Sequence, residues 1–367
     1  MQPGGSTYNI FKVIIILLLV TVFLYSAPAQ EAPSFESQVA IVHKNIYSHF
    51  YDSSKGLFIE KTVLKADEKP YAYLWPVCAL VQAANEMEAK DPAKNYLEPV
   101  ARVIDKYYSA QKPPHPGYDS YIVEYGGGDR FYDDNQWIGI TYLDAYGRTK
   151  DVKYLALAKD IYDYMMTGYD TISGGGLYWK EFDTSTKNTC SNGPGIIMAL
   201  QLYHFTQEKR YMDTALLLYE WVNKYLQAHD KLYFDNLRLP AMTIDKRKYT
   251  YNSGTMLQCN VMLYHITKEM KYLNRAQEIA TASLKHFFKN NLYPDNYWFN
   301  AVLLRGFIDL YKVDHEEKYI RSFIQYAGEV WKSQRDKNNF IGTKPIKTLI
   351  DQAGYLEIIA RLASLPK

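Results

Sequence analysis

Two adjacent carboxylates, Asp133 and Asp134 (the acidic pair), have the residue types and spacing for acid–base chemistry. They precede a predicted helix, where one Asp would serve as an N-cap and complement the helix dipole. The second Asp would be repelled by the first unless one is protonated or each points into a different environment, which is how enzymes separate an acid from a base. Catalysis is the favoured interpretation, and helix capping is the alternative.

The spacing of the acidic pair also bears on mechanism. Because adjacent Cα atoms lie about 3.8 Å apart and their side chains point in different directions, the two carboxyl groups can be roughly 5 Å apart. Retaining glycosidases use that separation, whereas inverting enzymes need about 6.5 to 9.5 Å. If both carboxylates act directly, the spacing favours retention.

Other kinds of chemistry have weaker support. Acidic pairs bind Mg²⁺ in helical isoprenoid enzymes, but this sequence lacks the required second acidic position. The histidines, among them His204 and His265, are scattered without ligand spacing. The sequence has no Gly-rich phosphate loop before a helix and no G-x-S-x-G motif. We therefore predict no metal and no other cofactor.

Aromatic content is the unusual feature of the composition. The chain of 367 residues contains 35 Tyr and 6 Trp, and Tyr joins an apolar body to a polar tip. Such side chains suit sugar rings, although packing between helices would also use them. A formal net charge of +2 gives no reason to expect a nucleic acid or an anionic membrane as a partner.

A repeated phrase of the type Tyr-Leu-x-x-Ala marks one set of helices. It begins at residues 95, 153, 210, 271 and 318, so that successive starts are 58, 57, 61 and 47 residues apart. Each phrase opens a run of about 14 to 18 residues with apolar positions at i, i+3, i+4 and i+7, which indicates an amphipathic helix. Residues 39–50 form a sixth run of this kind.

A second set of runs alternates with the first and is apolar around most of its circumference, as expected for helices covered on both sides. These runs are residues 74–87, 136–146, 195–205, 255–266, 299–311 and 349–362. Six buried inner helices and six amphipathic outer helices predict an all-α fold, an (α/α)6 toroid or barrel. An open solenoid of helix pairs is the alternative, because a sequence repeat does not show closure.

The loops that would carry a site all precede inner helices. They are long, polar and rich in Gly and aromatic residues, at 124–133, 173–192, 237–252 and 292–298. The loops that follow inner helices are short and mainly charged. We therefore expect a cleft at the end of the barrel where the inner helices begin.

The first residues have the pattern of a secretory signal peptide. Lys12 precedes an apolar run at 13–25, shorter than the roughly 20 residues that span a bilayer. Ala27-Pro28-Ala29 fits an A-x-A cleavage site. We expect residues 1–29 to be removed and residues 30–367 to form a single domain of an exported, periplasmic or extracellular monomer without stable membrane insertion. An uncleaved anchor is the alternative.

Three cysteines, Cys78, Cys190 and Cys259, cannot all pair within one chain and fit no zinc pattern. Each stands in or beside an apolar helical stretch. We expect them to be small buried side chains, with a bridge between Cys190 and Cys259 as the alternative.

The motifs around the acidic pair resemble those of glycoside hydrolase family 76, the α-1,6-mannanases and their transglycosidase relatives. They cover about residues 70–310, most of the chain after the signal peptide, so that chance agreement is not expected. In order they are Tyr73-Leu74-Trp75-Pro76, Ala83-Ala84-Asn85-Glu86-Met87, Tyr132-Asp133-Asp134-Asn135-Gln136-Trp137, Gly174-Gly175-Gly176-Leu177-Tyr178-Trp179, Lys187-Asn188, Ser191-Asn192-Gly193-Pro194, Tyr249-Thr250-Tyr251-Asn252-Ser253-Gly254, Trp298 and Leu303-Leu304-Arg305-Gly306.

This resemblance implies an (α/α)6 barrel that cleaves internal α-1,6-mannosidic bonds of α-mannan with retention and without a metal. It implies that Asp133 is the nucleophile and Asp134 the general acid/base of a double displacement. The expected partner is then α-mannan or an α-1,6-manno-oligosaccharide.

Further residues in the matching motifs or at the predicted mouth are expected to bind substrate. They are Asn135, Trp75, Trp179, Asn192, Asp235, Tyr251, Asn252, Trp298 and Arg305. Core packing is the alternative for the tryptophans. Two positions depart from the family pattern, Asn300 where a basic residue is expected and Thr189-Cys190 before Ser191, and both would act on subsite preference.

Two other functions stay open at this point. A transglycosylase acting on α-mannosyl substrates would use the same scaffold with an acceptor sugar in place of water. A non-catalytic α-mannan-binding protein would use the aromatic mouth but would leave the intact acidic pair unexplained.

Overall fold

The computed structural model describes Met1 and residues 32–365. The predicted signal peptide, apart from Met1, lies outside the described residues, so its removal stays a prediction. Among the described residues, no helix is both long enough and apolar enough to cross a bilayer.

Twelve α-helices lie within residues 32–365 and alternate between an outer and an inner position. In chain order they are α1 Phe35–His49, α2 Leu74–Lys90, α3 Leu97–Ile104, α4 Tyr132–Thr149, α5 Val152–Met166, α6 Thr189–Thr206, α7 Lys209–Tyr225, α8 Thr250–Thr267, α9 Met270–Phe287, α10 Tyr297–Asp314, α11 Lys318–Ser333 and α12 Leu349–Ala363.

The even-numbered helices form a closed inner ring. Each packs against the next along the chain, and α12 packs against α2. The odd-numbered helices cover this ring, since α3 to α11 each lie on the preceding inner helix and α1 lies on α12. The prediction of an (α/α)6 barrel is therefore confirmed, and the open solenoid is wrong.

The inner helices begin earlier than the apolar pattern indicates. Helices α4, α6, α8 and α10 start two to six residues before the predicted positions. Their first turns are polar or aromatic because they face the mouth of the barrel rather than its apolar core, so hydrophobic periodicity does not mark them. The acidic pair consequently lies inside α4 rather than before it.

One outer helix is shorter than predicted. Helix α3 has eight residues and is followed by a 3-10 turn at Asp105–Tyr107. The Tyr107 side chain is buried, and its hydroxyl donates to the carbonyl oxygen of Ala72 at 2.8 Å. This contact holds the chain beside the start of α2, at the mouth end of the barrel.

Three small antiparallel sheets accompany the helices within residues 32–365, where we predict loops from the sequence. They pair β1 Tyr51–Asp52 with β2 Leu57–Phe58, β3 Tyr108–Ser109 with β4 Gly117–Tyr118, and β5 Tyr178–Lys180, β6 Asp183–Asn188, β7 Asn236–Arg238 and β8 Thr243–Asp245 in that order. In the four-stranded sheet Thr186 lies opposite Arg238 and Leu237 opposite Ile244. Strands of two to six residues, several of them polar, are too short to show a period of two.

A close approach between two inner helices fixes the start of α10. A Cβ atom added at Gly354 of α12 would lie 2.4 Å from the backbone nitrogen of Trp298. Only glycine permits this contact, because the obstacle is backbone and cannot move aside. The approach holds the Trp298 backbone at the mouth.

Candidate active site

A cavity of about 590 Å³ opens where the inner helices begin, and we call it the catalytic cavity. Seven of the residues selected from the sequence line it: Asp133, Asp134, Trp75, Trp179, Asp235, Tyr251 and Trp298. The structure does not bring the other four, Asn135, Asn192, Asn252 and Arg305, to its wall.

The acidic pair occupies the first turn of α4, whose N-cap is Phe131. Asp133 accepts hydrogen bonds from two N–H groups: the backbone N–H of Asp134 reaches its Oδ1 at 3.1 Å, and the indole Nε1–H of Trp179 reaches its Oδ2 at 3.2 Å. No described side chain supplies a donor to the carboxyl group of Asp134. The two carboxyl groups thus have different environments, and neither residue is the N-cap.

These environments separate the two pKa values. Burial raises the pKa of Asp133 to about 6, and hydrogen bonds from Cys190, Trp179 and the backbone limit the rise because they favour the ionised form. Burial and the neighbouring charge of Asp133 raise the pKa of Asp134 well above its ordinary value. Asp133 is therefore the member of the pair that ionises first, and Asp134 keeps its proton to a higher pH.

Asn135 and Asn192 lie behind the lining of the catalytic cavity, where their side-chain amides bond to backbone groups. Both side chains are fully buried. The Oδ1 of Asn135 accepts from the backbone N–H of Tyr118 at 2.8 Å, and its Nδ2 donates to the Tyr118 carbonyl at 3.0 Å. Asn192 makes the same pair of bonds to Leu177, at 2.7 and 3.0 Å. Each amide ties a segment of the mouth to the first turn of an inner helix.

Asn252 and Arg305 also lie outside the lining of the catalytic cavity. Asn252 is fully buried in the first turn of α8. Arg305 lies further along α10, where its Nη1 is 2.7 Å from Asp144 Oδ2 and its Nε donates to Gln258 Oε1 at 3.1 Å. Asp144 belongs to the C-terminal half of α4, so Arg305 is directed away from the mouth.

Aromatic rings form one wall of the catalytic cavity. The ring centroids of Trp75 and Trp137 lie 6.0 and 5.9 Å from that of Trp298. Tyr251 packs on Phe299 with a centroid distance of 3.9 Å. Such a wall offers apolar faces to the C–H faces of sugar rings, with polar groups at its edge.

Charged side chains from the four-stranded sheet and the segments beside it, Asp235, Arg238 and Arg247, also line the catalytic cavity. Asp235 is buried, and its Oδ2 accepts from Asn236 Nδ2 at 3.0 Å and from Arg247 Nη2 at 3.4 Å. Burial raises the pKa of Asp235, and the Arg247 charge opposes this rise. Arg238 and Arg247 both donate to Asp245, at 2.7 and 2.9 Å.

Sequence reasoning missed 13 of the 20 residues that line the catalytic cavity. The missed residues are Phe131, Trp137, Asp183, Ser185, Thr186, Asn188, Cys190, Asn236, Arg238, Arg247, Tyr249, Phe299 and Val302. Several belong to the sheet, whose β7–β8 turn contains Leu239-Pro240. A Pro between two short runs with β-branched or apolar residues is a turn signal that could have indicated this hairpin.

A buried ion pair joins the loop before α4 to the β5–β6 hairpin. Arg130 donates from Nε to Glu181 Oε2 at 2.8 Å and from Nη2 to Oε1 at 2.5 Å. Arg130 also donates to the carbonyl oxygens of His115 and Pro113, both at 2.8 Å. Because Trp179 lies two residues before Glu181, this bidentate pair fixes its indole relative to the acidic pair.

The three cysteines are buried free thiols, so the bridge between Cys190 and Cys259 is wrong. Cys190 lines the catalytic cavity, and burial raises the pKa of its thiol. Among residues 32–365, no group of three or more His, Cys, Asp or Glu side chains has the arrangement of a metal site.

Comparison with known proteins gives consistent matches. The sequence model of Glycosyl hydrolase family 76 matches residues 34–296. Mannan endo-1,6-alpha-mannosidase DCW1 of Saccharomyces cerevisiae is 29% identical over 177 residues, which are 44% of this chain and 39% of the yeast protein. This chain therefore matches well under half the length of that curated relative.

Solved structures share the fold over nearly the whole described chain. The family 76 mannosidase Bt3792 from Bacteroides thetaiotaomicron has a TM-score of 0.82 and 28% identity, with 90% of this chain and 98% of that chain covered. The α-1,6-mannanase GH76A of Salegentibacter sp. HEL1_6 has a TM-score of 0.78 and 20% identity, with 90% and 99% covered. That structure is an inactive variant, with two consecutive aspartates replaced by alanine, in complex with α-1,6-mannotetrose.

Proposed function

The chain belongs to glycosyl hydrolase family 76, and we propose that it is a retaining endo-α-1,6-mannanase with Asp133 as nucleophile and Asp134 as general acid/base. The observation that carries this proposal is the difference between the two carboxyl groups. Asp133 has two N–H donors, whereas Asp134 has none from the described side chains and faces the charge of Asp133. A nucleophile must be ionised at the pH where the acid is protonated, and this difference supplies both states.

The first half of the reaction forms a covalent intermediate. A carboxylate oxygen of Asp133 attacks the anomeric carbon, the bond from that carbon to the glycosidic oxygen breaks, and the oxygen takes the proton of Asp134. The indole N–H of Trp179 holds the attacking carboxylate in position.

The second half returns the enzyme to its starting state. Once Asp133 is a neutral ester, its negative charge no longer raises the pKa of Asp134, so Asp134 can now act as a base. It accepts a proton from water while the water oxygen attacks the anomeric carbon and releases Asp133. Two displacements on opposite faces leave the anomeric configuration unchanged.

The proposed substrate class rests on the family and on the cavity. The matched yeast relative is named a mannan endo-1,6-alpha-mannosidase. The wall around Trp298 offers apolar faces, and Asp235 in the same cavity offers a carboxylate to hydroxyl groups. A neutral polysaccharide such as α-1,6-mannan suits both features.

Cleavage of linear α-1,6-mannan by the wild type, Asp133→Asn and Asp134→Asn tests the proposal. We expect short oligosaccharides from the wild type, a loss of about 10⁴-fold or more in kcat for Asp133→Asn and about 10²- to 10⁴-fold for Asp134→Asn. With an aryl glycoside, whose leaving group needs no proton, Asp134→Asn should still form the glycosyl ester, which intact mass measurement would detect on Asp133. Asp163→Asn, on outer helix α5, is the matched control.

Three outcomes would contradict the proposal. Binding of mannan without cleavage by the wild type would indicate a glycan-binding protein. New glycosidic bonds in place of free reducing ends would indicate a transglycosylase. An inverted anomer as the first product would exclude Asp133 as a nucleophile.

A further inference from the structure

A second cavity, of about 880 Å³, lies beside the catalytic cavity, and we call it the hairpin groove. The two cavities share Asp183 and Ser185 of strand β6 as lining residues. The two cavities therefore border the same strand, β6. A polymer bound in the catalytic cavity would meet the hairpin groove as the next cavity on the other side of this strand.

Phe182 forms an edge of this groove in an unfavourable local structure. Its side chain is 80% exposed, and its φ of 59° lies in the left-handed region. An exposed Phe forfeits the free energy of apolar burial, and the left-handed region is disfavoured for a residue with a large side chain. Gly or Asn would suit this hairpin position better on both counts. Strain of this kind at a cleft edge points to a functional use.

The exposure of Phe182 is not caused by fraying of the hairpin. The preceding residue, Glu181, is held by the buried pair with Arg130, and its backbone N–H donates to the Arg130 carbonyl at 3.0 Å. Lys180 is held by Asp129, with 3.0 Å between Nζ and Oδ2. The ring of Phe182 is thus presented from an anchored tip.

The chemistry of the hairpin groove fits an uncharged ligand with both apolar faces and hydroxyl groups. Leu239, Pro240 and Phe182 supply apolar surface, while Ser185 and Asp183 supply polar groups beside it. The charges of Lys180 and Glu181 are compensated by partners within the structure, so they do not select an ion. Aromatic surface next to hydroxyl and carboxylate groups is the arrangement that binds a sugar ring.

We propose that the hairpin groove is a distal subsite that binds mannosyl residues of a long α-1,6-mannan chain beyond those in the catalytic cavity, with Phe182 as its stacking platform. This inference rests on the proposed function, because it extends the same substrate. It predicts that the enzyme prefers long chains and that this preference depends on the hairpin tip.

The test compares kcat/KM on long linear α-1,6-mannan with kcat/KM on the shortest α-1,6-manno-oligosaccharide that the protein cleaves. We expect Phe182→Asn to lower the long-to-short ratio about fivefold to tenfold, since an aromatic contact of this kind is worth roughly that factor. Asn tolerates the left-handed backbone, so the hairpin should remain folded. Phe182→Trp, which keeps an aromatic platform, should preserve the ratio.

Met242→Asn is the matched control. Met242 also has a positive φ, 54°, is 43% exposed and lies in a turn of the same sheet, but it lines neither cavity. We expect no change in the long-to-short ratio. An equal loss in Met242→Asn would overturn the proposal, because it would indicate a general effect on the sheet.

Calorimetry separates failure of the subsite from failure of the proposed function. Long and short oligosaccharides are titrated into Asp134→Asn with and without Phe182→Asn, and weaker binding of the long chain alone supports the proposal. Normal cleavage by the wild type with an unchanged ratio in Phe182→Asn overturns the subsite only. Absence of both binding and cleavage overturns the proposed function and the subsite together. Loss of self-association in Phe182→Asn, with unchanged sugar binding, would show a docking surface instead.

Discussion

Trp179 links the hairpin to the acidic pair through a single hydrogen bond, from Nε1 to Asp133 Oδ2 at 3.2 Å. This donor favours the ionised carboxylate and limits the rise of the Asp133 pKa, which burial brings to about 6. Trp179→Phe keeps an aromatic ring next to Phe131 but removes the donor. The pKa of Asp133 should therefore rise further.

The consequence is a shift of the pH profile. In the proposed mechanism Asp133 attacks as the ionised carboxylate, so activity should be lost as the pH falls through the pKa of Asp133. In the wild type we expect this acid limb of kcat/KM near pH 6. In Trp179→Phe it should move upward by about half to one pH unit, the equivalent of one partly exposed hydrogen bond to a charged group. Trp221→Phe is the control, since Trp221 Nε1 donates to the Ser173 carbonyl at 3.1 Å away from the cavity. An acid limb that stays in place in Trp179→Phe would show that the bond does not affect ionisation.

At single residues, the sequence indicates the chemical type of a side chain better than the direction in which that side chain points. Asp133 and Asp134 could be selected because a like-charged pair is costly unless it is used. Asn135 and Asn192 were selected from the same motifs, yet their side-chain amides form hydrogen bonds with backbone groups. Both are the fourth residue of an inner helix, and Gln352, the fourth residue of α12, bonds in the same way to Ile341, at 2.8 Å in both directions. Recurrence of an amide at one position of the repeat is therefore a sign of a structural role.

Among the elements, helices with a covered apolar surface could be predicted and the elements that build the site could not. The predicted runs correspond to the twelve helices, with α3 shorter than expected. The first turns of the inner helices and much of the β5–β8 sheet are polar where they line the cavity, and a run without regularly spaced apolar residues shows no hydrophobic period. The elements that sequence reasoning missed are for this reason those nearest the chemistry.

The ion pair between Arg130 and Glu181 joins the loop before α4 to the β5–β6 hairpin, and it gives a prediction at the scale of these elements. The side chains of Arg130 and Glu181 are 0% and 3% exposed. Glu181→Gln leaves a buried guanidinium without its counter-charge, which should lower the free energy of unfolding by about 3 kcal/mol. Because Trp179 and Phe131 lose their fixed positions, kcat should fall as well. Urea unfolding and mannan cleavage measure the two effects.

An exposed ion pair serves as the control for that substitution. On outer helix α7, Lys209 Nζ lies 2.5 Å from Asp213 Oδ1, and the two side chains are 84% and 57% exposed. Asp213→Asn removes the same kind of charge, and we expect little measurable change in stability because solvent screens such a pair. Equal effects of the two substitutions would contradict the anchoring role of Glu181.

For the molecule as a whole, six helix pairs could be counted from the sequence, but the contacts that close the ring of inner helices could not be predicted. All six inner helices contribute polar side chains to a layer away from the mouth: Glu86, Asp144, Gln201, Gln258, Arg305, Asp309 and Arg361. Arg361 pairs with Glu86 at 3.1 Å between the last and first inner helices. Gln201 donates to Asp144 at 2.7 Å, and Gln258 donates to Asp309 at 2.8 Å. Of these residues only Arg305 was expected from the sequence to bind substrate, whereas its partners are Asp144 and Gln258 of the same layer.

Arg305 gives the prediction that belongs to this scale. Helices α4 and α10 are three places apart in a ring of six, so the contact between Arg305 and Asp144 crosses the barrel axis. Arg305→Met should lower the free energy of unfolding by about 2 to 4 kcal/mol, because Asp144 and Gln258 lose a buried partner. The double variant Arg305→Met/Asp144→Leu should recover part of that loss, since it removes the unpaired charge. The KM for mannan of the folded fraction should be unchanged, because Arg305 does not line the catalytic cavity. A raised KM with an unchanged free energy of unfolding would instead assign Arg305 to substrate binding. It would also show that the contact between Arg305 and Asp144 does not stabilise the closed barrel.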